Sequence, residues 1–246
     1  SASQRGTTSR TEGHVEALAS EALEGRLTGT IGAQRAADYI IDELRKIGAE
    51  PLPGRDDLRI PFEFTAGVSD GGSSLTMLTV PTTTAAGDHP RRWEETGSVR
   101  ALSFSDVAEV RGPVVFAGYG LSVPETDGFS YDSFATVDVT DKIVLMLRYY
   151  PEDVDQETRN MLSRHAALRY KAFAARERGA KALLVVAGPR SPNAGEIIPM
   201  TFDAAMSSSG IVAASISGQV ADAMFEHVPD TTLEEAQAAL DTGNPH

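Results

Sequence analysis

Residues 171–186 read KAFAARERGAKALLVV, and this stretch decides the fold. Upstream of it, a helical period runs from Thr158 to Arg178, with Leu162, Ala166, Tyr170, Phe173 and Ala174 on one side. Gly179 can adopt the left-handed conformation that ends a helix. Lys181 to Val186 then form a nearly continuous aliphatic run, the pattern of a strand buried on both faces. A helix therefore delivers the chain through a glycine into a core strand.

Working outward, Lys142 to Tyr149 and Ile211 to Ile216 read as further strands. Between Arg59 and Tyr119 the pattern breaks into short β-like runs at Ile60–Phe64, Ser74–Val80, Val99–Phe104 and Pro113–Ala117. Ala66–Ser73 and Pro81–Arg92 read as long exposed loops, rich in turn-forming residues. Both ends of the chain are helical. Ser9 and Glu12 have the spacing of a capping box ahead of Val15, Leu18 and Ala22. Thr30 caps a second helix with an apolar face of Ala36, Ala37, Ile40, Ile41, Leu44 and Ile47, stopped by Gly48 and Pro51. At the far end, one helix carries Val220, Met224 and Val228, and another carries Leu233, Ala236 and Leu240 behind a capping box of Thr231 and Glu234. Helices flank a β-rich middle without regular βαβ alternation, so the expected class is α+β, with a sandwich- or barrel-like β lobe.

Composition narrows the function classes. Of 246 residues, 41% are hydrophobic and 23% charged, which is ordinary for a globular chain. Acidic residues outnumber basic ones 35 to 22, a net charge of -13 that argues against nucleic acid and anionic membrane as partners. Cysteine is absent, so disulfides, thiolate metal sites and a cysteine nucleophile are excluded. No apolar run approaches the roughly 20 residues of a membrane helix. Ser1 to Arg10 lack the apolar run of a signal peptide, and the residues alone leave location open.

Candidate chemistry is sparse. Gly67-Val68-Ser69-Asp70-Gly71 matches GxSxG, yet a nucleophile elbow requires a helix directly after the serine, and Gly72 to Thr79 read as loop and strand. A polar turn is the better reading, with a serine hydrolase using Ser69 as an alternative. Glu94 and Glu95 form an acidic pair in a polar loop-like context, and Glu234 and Glu235 lie where negative charge favours a helix start. The histidines, at 14, 89, 165, 227 and 246, share no zinc-motif spacing. Asp127, Asp132, Asp138 and Asp141 lack the ligand order of a calcium loop. The sequence thus assigns no catalytic, cofactor-binding or metal residue.

Two stretches carry a more specific signal. In residues 14–51, Leu18–Ser20, Leu23–Arg26, Thr28–Thr30, Gly32, Ala36–Ile40 and Leu44–Gly48 resemble the opening of metallopeptidase family 28, the zinc aminopeptidases. In residues 112–186, GPVVFAGYG, YDSFATVDVTDKIVLMLR and KAFAARERGAKALLVV are similar to the protease-associated (PA) domain inserted in many such peptidases.

The resemblance implies three parts: an N-terminal helical segment at 1–57, a PA domain with lead-in strands at 58–217, and C-terminal helices at 218–246 leading towards a catalytic domain. Family members hold two zinc ions through a His-x-Asp, an Asp, a Glu-Glu pair, a second Asp and a distant His, all beyond the PA insert. The chain has no His-x-Asp. The resemblance therefore implies a non-catalytic portion of a secreted or periplasmic exopeptidase. It would hold no zinc itself, its two zinc ions and its peptide or protein substrate belonging to the full-length parent. An independent peptide- or glycan-binding module is the other alternative. The helix face around Ile40 and Ile47 is expected either to repack on the C-terminal helices or to stay open to association.

Overall fold

A computed structural model describes residues 9–64, 67–78, 91–94, 97–126, 128–200 and 209–245. The chain forms two compact units, Ser1–Ala66 and Gly67–His246.

The first unit is built on a helical pair. Helix α1 (Arg10–Leu18) opens with the expected capping box: Glu12 N donates to Ser9 Oγ at 3.1 Å, and Ser9 N donates to the Glu12 carboxylate at 3.3 Å. A short 3₁₀ turn, Glu21–Arg26, buries Leu23. Thr30 then caps helix α2 (Ile31–Lys46), its hydroxyl accepting from Ala33 N. Gly32 is required here, because a Cβ at this position would lie 2.0 Å from the Leu23 carbonyl oxygen. Its absence lets α2 settle directly on the turn. Ala36 and Ile41 are buried as the pattern requires, while Ile40 and Ile47 remain exposed. The strand expected over Ile60–Phe64 is not formed: these residues are exposed and belong to no sheet. Alternation of apolar residues supplies one face for a strand, but a ladder also needs a neighbour.

In the second unit the described strands are β1 (Ser74–Met77), β2 (Arg91–Glu94), β3 (Val99–Ala101), β4 (Val114–Phe116), β5 (Ser122–Thr126), β6 (Phe129–Asp132), β7 (Ile143–Leu147), β8 (Ala182–Val186) and β9 (Val212–Ile216). They make a central sheet of order β3-β9-β8-β7-β4 and two antiparallel pairs, β1-β2 and β5-β6. Strands β4, β7, β8 and β9 are mutually parallel, and β3 is antiparallel to β9. The class is α+β, as expected. The sheet is open, however, and not closed into a barrel. Parallel neighbours need crossover connections, and helices α3 (Gln156–His165) and α4 (Leu168–Glu177) supply one between β7 and β8. Arg91 and Arg92, expected in a loop, lie in β2, while residues 79–90 of that loop are outside the described residues.

The two faces of the sheet carry separate cores. Along β7, Leu145 and Leu147 point to one, and Val144 and Met146 to the other. The first is covered by α5 (Gly218–Phe225), α6 (Leu233–Asp241), Leu162 of α3 and the β5-β6 pair. The second is covered by α4 through Ala172 and Ala175, with Phe104, Phe134, Ile198 and Ile211. Burial on both sides explains why β7 and β8 read as continuous aliphatic runs.

Two local expectations shift. The helix expected over Thr158–Arg178 breaks at Ala166 and Ala167, which end α3 and begin α4. The break resets the helical phase, so Tyr170 and Phe173 face solvent while Lys171, Ala172 and Ala175 turn inward. Neither alanine is a helix breaker, and nothing in the local sequence accounts for the interruption. The last capping box is formed by Thr232 and Glu235, one residue beyond the expected pair. Among the described residues no helix is long and apolar enough to cross a membrane.

Candidate functional site

In open sheets with parallel strands, ligands bind in the crevice outside the carboxyl ends of the strands. Here those ends, after β4, β7 and β8, meet a buried polar network contributed by five segments. Tyr119 follows β4, Tyr149 follows β7, Arg190 and Ser191 follow β8, Lys171 projects from α4, and Gln237 and Asp241 lie one turn apart on α6.

Asp241 is the hub, with its side chain 1% exposed. One carboxylate oxygen accepts from the Tyr119 hydroxyl and from Glu152 N, the other from Arg190 Nε at 2.9 Å. Gln237 completes the array. Its side-chain oxygen accepts from Arg190 N at 3.0 Å, and its nitrogen donates to Ser191 Oγ at 2.8 Å and to the Tyr119 oxygen at 3.2 Å. Gly188 permits this approach, since a Cβ there would lie 2.3 Å from Gln237 Oε1. Arg190 extends the network outward to Asp153 at 3.0 Å.

Lys171 is buried beside this hub. Its ammonium donates to the carbonyls of Leu147 at 3.0 Å and Tyr149 at 2.5 Å and lies 5.8 Å from the Tyr119 ring centroid. Tyr149 has a positive φ of 69°, so the lysine holds a turn in the left-handed region just as the chain leaves β7. Burial, then the neighbouring Arg148 charge, pushes the Lys171 pKa down to about 7. Burial and the bond to Asp241 hold the Tyr119 phenol far above its ordinary value, so it is no acid or base at neutral pH. The polar groups of this network are partnered with one another, and it contains no nucleophile with an adjacent free base. Its chemistry is that of a lock between α6 and the strand ends.

The residues singled out in the sequence lie elsewhere. Ser69 is exposed on a stretch without regular structure that runs into β1, so the strand–turn–helix geometry of a nucleophile elbow is absent. Its neighbour Asp70 has the structural role. Its carboxylate accepts from Gly72 N, Ser73 N and, at 2.6 Å, Ala101 N, pinning the loop to β3. Burial opposes ionisation of Asp70, but these donated hydrogens outweigh it and lower its pKa. Glu94 ends β2 and pairs with Arg92, while Glu95 is outside the described residues. Glu235 closes the capping box of α6.

His14 shares a 2.8 Å hydrogen bond with the Tyr39 hydroxyl in an open apolar groove of the first unit, beside Leu18, Ile40, Leu44 and Ile47. His165 ends α3 and His227 follows α5, whereas His89 and His246 fall outside the described residues. Asp132 pairs with Arg178 and Asp141 with Lys181. Asp138 bonds Lys142, and that contact with the Thr140 bonds pulls its pKa to about 2. Asp127 is not among the described residues. Among the described residues no three His, Asp or Glu gather where a metal ion could be held, so this donor set does not fit a zinc centre.

Sequence reasoning missed the network because its members are scattered from 119 to 241. One signal was present: Lys171 interrupts the apolar stripe of Leu168, Ala172 and Ala175.

No protein-family profile matches the chain, and no curated protein matches it. Among solved structures it is similar to BSAP, a zinc aminopeptidase from Bacillus subtilis, at 20% identity with a TM-score of 0.37. The match covers 87% of this chain and 40% of that one, so the chain spans well under half of that enzyme's length.

Proposed function

We propose that the chain is a non-catalytic portion of a zinc-dependent exopeptidase of metallopeptidase family 28, comprising its N-terminal helical segment and its PA domain. In this reading residues 1–57 belong to the peptidase body, 58–217 form the PA insert with its lead-in strands, and 218–246 lead towards the catalytic domain. The insert covers the catalytic cleft, restricts substrates or mediates protein contacts. The parent is secreted or periplasmic, holds two zinc ions and acts on peptides or proteins.

The observation that carries the non-catalytic reading is the closure of the sheet's carboxyl edge. The place where such a sheet would receive a ligand is filled by Gln237 and Asp241 of α6, with their polar atoms partnered inside the protein. The peptidase part of the reading rests on the quoted motifs. The LEGR and TGT strings build the contact between the 3₁₀ turn and α2, and Gly32 of the same run is the glycine that contact requires.

The test is turnover of a leucyl chromogenic amide by the purified chain, with zinc supplied and metal content measured after dialysis. The expected result is no turnover and no stoichiometric zinc. Turnover with one or two retained zinc ions would overturn the non-catalytic reading. A parent sequence without a His-x-Asp beyond the PA insert would overturn the peptidase reading.

A further inference from the structure

The outer face of helix α4 carries a row of arginines and aromatic rings, and we propose that it docks an acidic polypeptide segment with an apolar side chain between its carboxylates. The residues involved lie on α3, α4 and the exit of β7, so the proposal does not depend on the peptidase reading.

Charge is unevenly placed in the chain. Residues 156–178 hold 6 of the 22 basic and 2 of the 35 acidic residues, a local net of +4 that leaves -17 elsewhere. In so acidic a chain a surface cation readily meets a carboxylate, as Arg92 meets Glu94 and Arg111 meets Glu109. Between Arg148 and Arg176 this stops. The span contains Arg148, Arg159, Arg164, Arg169, Lys171 and Arg176, and among the described residues none of them has a carboxylate partner. Lys142 before the span and Arg178 after it are both paired. Arg159, Lys171 and Arg176 donate to backbone carbonyls instead. The carboxylates of the same span are used otherwise: Asp153 pairs with Arg190, and Asp155 caps α3.

Helix α4 turns Lys171, Ala172, Ala174 and Ala175 inward. Its outer face is therefore Arg169, Phe173 and Arg176, at i, i+4 and i+7, with Tyr170 alongside. All four are exposed, Tyr170 at 47% and Phe173 at 37%. Each arginine lies over a ring, Arg169 5.2 Å from the Tyr170 centroid and Arg176 5.0 Å from that of Phe173. Stacking holds a guanidinium in place while its N–H edge stays free for a carboxylate. Arg176 gives one nitrogen to the Ser209 carbonyl and keeps the others. The helix has a single carboxylate, Glu177, in its last turn. Its first turn has none, and Ala167 supplies no side-chain cap, so Arg169 stands where a cation is disfavoured. An acidic partner relieves that repulsion.

These features select the partner. Seven residues set the two arginines about 10.5 Å apart along the axis, which matches carboxylates two turns apart on a facing helix. Phe173 between them calls for an apolar contact there. A long polyanion such as nucleic acid would also meet the -17 of the surrounding chain, whereas a short acidic segment is engaged locally, within a Debye length of about 8 Å. Exposed ion pairs are individually weak, so the contact is reversible and salt-sensitive.

The experiment titrates the isotope-labelled full chain with an alanine-based helical peptide of about 20 residues bearing Glu-x-x-Leu-x-x-x-Glu. A second peptide has Gln in place of Glu. Amide resonances are followed by NMR at low and high salt. Expected are shifts confined to the neighbourhood of residues 168–177 with the Glu peptide, lost in high salt, and none with the Gln peptide. Arg169→Gln should weaken binding about two- to five-fold. Arg111→Gln removes the same charge from an 85% exposed side chain outside the row and should leave binding unchanged. Equal binding of the two peptides, no shift up to about 5 mM peptide, or equal weakening by the two variants would overturn the proposal. Tighter binding of a single-stranded oligonucleotide would overturn it in favour of nucleic acid. Shifts of α4 that grow with protein concentration alone would overturn it in favour of a second copy.

Discussion

Tyr119 and Asp241 stand 122 residues apart in the chain and share a buried hydrogen bond, the phenol donating to the carboxylate. The bond ties the exit of β4 to the last turn of α6, and Arg190 on the other carboxylate oxygen adds the exit of β8. One carboxylate thus fastens the C-terminal helix to two strand ends.

Replacing Asp241 with alanine should cost about 2–3 kcal/mol, because it takes the acceptor from the Tyr119 hydroxyl and Glu152 N and leaves Arg190 only its Asp153 partner. Tyr119→Phe should cost about 1–2 kcal/mol. Urea denaturation of the two single variants and the double one reads the coupling. Additive losses would mean that the two side chains do not act as a unit.

Stability should rise with pH above neutrality through Lys171. In the unfolded chain a lysine keeps its proton to about 10.4, whereas the folded one releases it near 7. Between these values the unfolded state holds the extra proton, so raising the pH favours the folded state. A neutral amine still has two hydrogens for the Leu147 and Tyr149 carbonyls, so deprotonation breaks neither bond. Denaturant midpoints from pH 7 to 10 should climb in the wild type relative to Lys171→Met. Parallel curves would show that Lys171 does not titrate in this range.

Two glycines in the first unit should respond in opposite directions. Gly32→Ala drives a methyl into the Leu23 carbonyl and should cost about 2 kcal/mol or more. Gly13 lies within α1 with nothing near its missing Cβ, so Gly13→Ala should stabilise by about 0.5–1 kcal/mol. Amide exchange over residues 30–46 compares the first with wild type, and exchange over α1 the second. Matched effects would mean that α2 does not rest on the 3₁₀ turn.

Within the GxSxG match, the aspartate and not the serine should matter. Ser69→Ala should leave thermal stability unchanged, since the side chain is exposed in a loop. Asp70→Ala removes the acceptor for three backbone N–H groups and should cost about 1 kcal/mol. Faster exchange at Ala101 in the Asp70 variant alone checks the pin on β3.

Local pattern, acting within a turn of helix or a few strand residues, was enough for many elements. It placed α2 between Thr30 and Gly48, the capping box of Ser9 and Glu12, and the aliphatic strands β7 and β8. The β5-β6 pair has a local signal too, since Asp127-Gly128 is a strong hairpin dipeptide in the sequence. Those features depend on neighbours in sequence, which is why a single sequence carries them. The parallel pairing of β4, β7, β8 and β9 depends instead on which strands meet after crossovers, and aliphatic runs pair in either sense. Ile60–Phe64 has the alternation of a strand but no partner edge among the described residues, and only the tertiary structure could show that. The inward turn of Lys171 followed from a phase reset at Ala166 and Ala167 that no local residue type announces. The meeting of Tyr119, Lys171, Arg190, Gln237 and Asp241 likewise required the whole second unit to close, because a buried charge is tolerated only where folding delivers its partners.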